Sequence, residues 1–114
     1  MSEYMHKELA EGRWENMSIC EQMANIGSEV NRAIAWKNKH NKERTELAAE
    51  RAIELIDLSV DGALKKGNST ALKEFCRLRE VVADCLYDCG IYDISDQEVK
   101  NIFFPYAVKW RMNS

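Results

Sequence analysis

The chain has 114 residues, of which 46% are hydrophobic and 31% charged, with one proline and five glycines. That is enough for one domain with a real core and too little for two. The scarcity of turn formers argues against disorder and against a many-stranded β fold. A formal charge of -3 lacks the basic surplus with which proteins neutralise nucleic-acid phosphates; only a local patch hidden in the average would alter that reading.

The N-terminus holds no apolar stretch of signal-peptide length, and no later run approaches a membrane span. A cytoplasmic protein is expected, with neither nucleic acid nor membrane among its partners. The four cysteines then read as reduced thiols.

In chain order, residues 1–17 form an appendage with a short helix over 3–11 that ends at Gly12, and Trp14 is placed as a lid on one end of the core. Ser18-Ile-Cys-Glu21 matches a capping box, in which a serine oxygen accepts from the third helical N–H, so the first long helix is predicted over about 18–39. Ile19, Met23, Ile26, Val30 and Ala33 carry its apolar face, with Gly27 allowing close approach of a neighbour. A polar break near His40 and Asn41 leads into a second helix over about 42–64, whose inner face is Ala49, Ala52, Ile53, Ile56, Ser59, Val60 and Ala63. Leu47, Leu55 and Leu58 fall outside that stripe and call for a second neighbour, either the N-terminal segment or another subunit.

Gly67 stops this helix, and Asn68 or Ser69 caps the next, predicted over about 69–89. Its seam is read as Leu72, Phe75, Cys76, Val82, Ala83 and Leu86, with Arg79 at the centre. A guanidinium facing a core requires a carboxylate: Glu29 is the first choice and Asp57 the second. Ser95-Asp-Gln-Glu98 is a second capping box and opens a helix over about 96–111 with the seam Val99, Ile102, Phe103, Tyr106, Ala107 and Trp110. Pro105 lacks an N–H and crowds the preceding turn, which predicts a kink or break near Phe104.

Four amphipathic helices on short links predict an all-α fold, a single-domain antiparallel four-helix bundle spanning 1–114 with a short N-terminal helical segment. Asn25, Glu29, Arg32 and Trp36 recur at steps of four, three and four, a polar and aromatic stripe beside the core face. Together with Arg79 and Asp57 they form the candidate polar cluster. The carboxylates from Glu43 to Asp61 read as a solvated acidic face, because a metal needs oxygens converging from several directions and these lie on one helix. Neither histidine recruits the cysteines into a zinc set, so no metal, cofactor or catalytic residue is predicted.

Leu9-Ala-Glu-Gly-Arg-Trp14, Asn25-Ile-Gly-Ser-Glu29, Glu50-Arg-Ala-Ile-Glu-Leu55 and Arg77-Leu-Arg-Glu80 resemble recurring segments of a group of small, uncharacterised prokaryotic all-α proteins. The resemblance implies the helical fold and carries no activity. The function expected is therefore that of a non-enzymatic interaction module, which binds itself or another protein through Leu47, Leu58 and Phe104. The alternative is a small enzyme or ligand-binding protein with a polar pocket around Arg79 and Glu29.

Overall fold

The computed structural model describes residues 13–87 and 94–113, less the side chains of Glu15, Trp110 and Asn113. The helix expected over 3–11, the end of the third helix beyond Tyr87, Cys89 and the packing of Trp110 lie outside the described residues. A 3-10 turn at Trp14–Asn16 precedes α1 (Ile19–Asn38), α2 (Lys42–Lys66), α3 (Ser69–Tyr87) and α4 (Asp96–Asn113). The fold is an all-α four-helix bundle.

Each start is set by a side chain that accepts an otherwise unpaired N–H. Ser18 Oγ accepts from Glu21 N at 3.1 Å, Asn41 Oδ1 from Arg44 N at 3.0 Å, Asn68 Oδ1 from Ala71 N at 3.1 Å and Ser95 Oγ from Glu98 N at 3.1 Å. α2 stops at Gly67 (φ 67°), where Asn68 N donates to Ala63 O and Gly67 N to Leu64 O, a paired closure that satisfies two free carbonyls. α1 stops the same way, with His40 (φ 57°) in the left-handed position, Asn41 N donating to Trp36 O and His40 N to Lys37 O. α4 runs unbroken through Pro105 to Asn113.

Long-range hydrogen bonds fix the directions. Lys37 Nζ, at the end of α1, donates to the carbonyl of Cys85 near the end of α3 (3.0 Å) and to Asp96 Oδ1 at the start of α4 (3.4 Å). At the other end, Cys20 Sγ donates to the carbonyl of Tyr106 (3.4 Å), and Trp14 reaches Ser59 in the later half of α2. Successive helices therefore alternate in direction. α1 packs on α2 and α4, and α2 packs also on α3, whereas α3 and α4 barely touch. Among the described residues the side between α3 and α4 is the most loosely packed.

Ile26, Val30, Ile34, Ala52, Ile56, Val82 and Val99 form the dry centre. Gly27 lets α4 lie against α1: a Cβ there would meet Phe103 Cβ at 2.8 Å. The expected lid, Trp14, is instead a buried plug at 1% exposure, its Nε1 donating to Ser59 Oγ at 2.9 Å while its carbonyl accepts from Gln22 Nε2 at 3.1 Å.

Two expectations need correction. The buried face of α3 is Ala71, Phe75, Leu78, Val81, Val82, Asp84, Cys85 and Leu86; Phe75, Val82 and Leu86 of the expected seam belong to it, but its centre is turned by roughly 90° from Arg79, at about 100° per residue. Cys76 is accordingly exposed. Leu58 is not a free contact residue: it is buried at 7%, as Leu55 is at 3%, on the helix whose Ser59 receives Trp14.

Candidate functional site

The predicted polar cluster separates into three places. Arg79 lies on the outer flank of α3, where its Nε donates to Asp57 Oδ1 at 2.7 Å, with the two side chains 48% and 45% exposed. The arginine thus finds a carboxylate, but in water and on the second-choice partner. A solvated pair of this kind contributes little net stability, because both charges keep most of their hydration. Glu29, the first choice, is held instead by Arg32 one turn along its own helix at 3.4 Å. Asn25 turns back on α1, donating to the Glu21 carbonyl at 2.8 Å.

Trp36 is the member of the stripe that acquires new company. The turn through His40 folds α2 back so that the Arg44 guanidinium carbon sits 4.5 Å and Lys39 Nζ 5.2 Å from the indole centroid. Positive charge over the negative face of an indole is attracted by the ring quadrupole, by about 0.5–1 kcal/mol at an exposed site. Around this stack is a hollow of about 510 Å³ lined by Arg32, Trp36, Asn41, Glu43, Arg44, Leu47, Ala48 and Arg51. Arg44 and Arg51 escaped the sequence reading. Their signal was the seven-residue spacing on α2 that sets them on one flank, but only the reversal at His40 brings that flank to Trp36.

The outer surface of α4 is the second feature. Phe104 and Met112 are 67% and 80% exposed, and with Pro105 and Val108 they line one shallow depression along the helix. The opposite face of the same helix is already spent on the core through Val99 and Phe103, so α4 is apolar on two sides. Leu47, the remaining member of the expected interface, is 42% exposed on α2.

A third region lies at the end of the bundle where Lys37, His40, Thr45, Glu46, Leu86 and Tyr87 line a hollow of about 730 Å³. Burial, and then the nearby carboxylates of Glu50 and Glu46, push the Tyr87 hydroxyl above the usual tyrosine range, while Arg79 pulls the other way. Cys85 Sγ lies 3.5 Å from Asp96 Oδ1. Among the described residues no three His, Cys, Asp or Glu side chains are grouped to hold a metal ion, and no helix is long and apolar enough to cross a membrane. Comparison with family models, curated proteins and solved structures found no match.

Proposed function

We propose that the protein is a non-enzymatic helical interaction module that associates with a second copy of itself through the outer face of α4. The observation that carries this reading is the patch of Phe104 and Met112, large apolar side chains left in water beside the half-buried Val108 and the charged Lys109, on a helix that already buries its other face. Covering such surface returns about 25 cal/mol per Å², and a stable contact hides roughly 800 Å² on each partner. The patch alone is smaller than that, so its neighbours on α1 and α4 contribute the rim. The competing reading, an enzyme or ligand pocket around Arg79 and Glu29, has its residues in two separate ion pairs. A cytoplasmic setting fits the free thiols of Cys20, Cys76 and Cys85.

Light scattering over a concentration series tests the proposal. A mass that rises from monomer toward dimer, and that F104E with M112E returns to monomer without loss of helical circular dichroism, is the expected result. A monomer at every concentration overturns it.

A further inference from the structure

We propose that the hollow between the end of α1 and the first turns of α2 is a binding site for a small anion carrying two or more phosphoryl groups, with Arg44 and Arg51 as its ligating guanidiniums and Trp36 as the plate that holds Arg44. This is independent of self-association through α4.

Three observations converge. First, Arg44 and Arg51 have no carboxylate within ion-pair distance among the described residues, in a chain with 19 acidic side chains. Arg44 stacks on the indole, at 4.5 Å, and stacking occupies the face of a guanidinium while leaving its N–H edges available for a bidentate anion. Second, the charges run against the helix. Lys42 and Arg44 lie in the first turn of α2, where the peptide dipoles already sum to a partial positive charge, and Glu43 offsets only part of it. A local arrangement that raises its own electrostatic energy, in a fold otherwise capped by rule, is the kind of inconsistency that marks a site. An anion removes it. Third, the place is concave, about 510 Å³, and Ala48, 3% exposed, forms part of its wall.

The number of charges selects the ligand. Arg44 and Arg51 are seven residues apart, about 10 Å along α2 at 1.5 Å per residue, and both line the same hollow. One carboxylate occupies one guanidinium fork; a pyrophosphate group spans two. Arg32, on the facing helix, is held by Glu29 at 3.4 Å and is placed to add a third contact.

The test is titration of the isotopically labelled protein with inorganic pyrophosphate, ADP and acetate at low salt, followed by the amide resonances and the Trp36 indole N–H. The expected result is saturable movement of the Trp36, Arg44 and Arg51 signals by pyrophosphate and ADP with a dissociation constant of about 1 mM or tighter, and none by acetate. R44Q with R51Q weakens binding by about tenfold or more at unchanged circular dichroism, and R44K, which keeps the charge and loses the planar fork, falls between. Pyrophosphate acting alone, or equally with ADP, identifies the phosphoryl groups as what is read; tighter ADP adds the nucleoside. The proposal is overturned if neither phosphoryl compound moves these signals, if sodium chloride at matched ionic strength moves them equally, or if R44Q with R51Q binds as the parent does.

Discussion

The indole N–H of Trp14 donates to the hydroxyl of Ser59 across 45 residues of chain, at 2.9 Å and with both side chains 1% exposed. The bond ties the segment before α1 to the later half of α2 and leaves no polar atom of the indole unsatisfied. Removing the acceptor alone strands a buried donor, at a cost of about 1–3 kcal/mol. We therefore expect S59A to lower the unfolding free energy by that amount and W14F, which removes donor and bond together, to make a further S59A change nearly neutral. Equilibrium urea denaturation of the four proteins in this cycle measures the coupling directly.

Gly27 offers a test whose sign is informative. Alanine is the better helix former by about 0.8–1 kcal/mol, so an unconstrained glycine in mid-helix would be improved by G27A. Here the new methyl collides with Phe103, including its Cβ at 2.8 Å, and because Cβ cannot rotate away α4 must move off α1. Destabilisation by about 1–3 kcal/mol is expected. In the double variant G27A with F103A, Cβ is retained, so only part of the loss is recovered; thermal denaturation of the single and double variants resolves that part.

The pairing of Arg79 with Asp57 is expected to contribute little. Both side chains are nearly half exposed, and solvated pairs couple by about 0.2–1 kcal/mol, against the 3–5 kcal/mol lost when one partner of a buried pair is removed. A double-mutant cycle of R79M and D57N places the pair in one range or the other, and a coupling in the higher range would contradict the exposed geometry.

Tyr87 supplies a pH dependence. Its hydroxyl is raised above the usual tyrosine value near 10 by burial first and by Glu50 and Glu46 next. The folded chain therefore holds this proton more tightly than the unfolded chain does. Its contribution to stability is complete below pH 10 and declines as pH rises through the folded-state value. Spectrophotometric titration near 295 nm, taken as the difference between the parent and Y87F, should show E50Q lowering the Tyr87 midpoint and R79M raising it.

What the sequence revealed follows the range of each interaction. Caps at Ser18, Ser95 and the Asn68–Ser69 pair were legible because a cap joins residues three apart. The four helices followed from them and from the apolar steps. Arg79 was misplaced for a different reason. Two overlapping stripes exist on α3, and the one through Ala71, Phe75, Leu78, Val82 and Cys85 keeps Arg79 out of the core, as desolvation favours, although the buried face also takes in Asp84. That choice was open to sequence reasoning. The burial of Leu58 and the company of Trp36 were not, since each depends on how separate segments pack together, for Trp36 on the reversal at His40.

The loose packing between α3 and α4 has a dynamic corollary. A helix anchored along one edge can peel from its support while the rest stays folded, and α3 leans almost wholly on α2 as α4 leans on α1. The hairpin of α1 and α2 is thus the last part to open, and its amides should be the slowest to exchange with deuterated solvent. Ile19 of α1, Phe75 and Leu78 of α3, and Ile102 and Tyr106 of α4 border a cleft of about 480 Å³, and an outward swing of either outer helix would widen it, as the leaves of a book open about its spine.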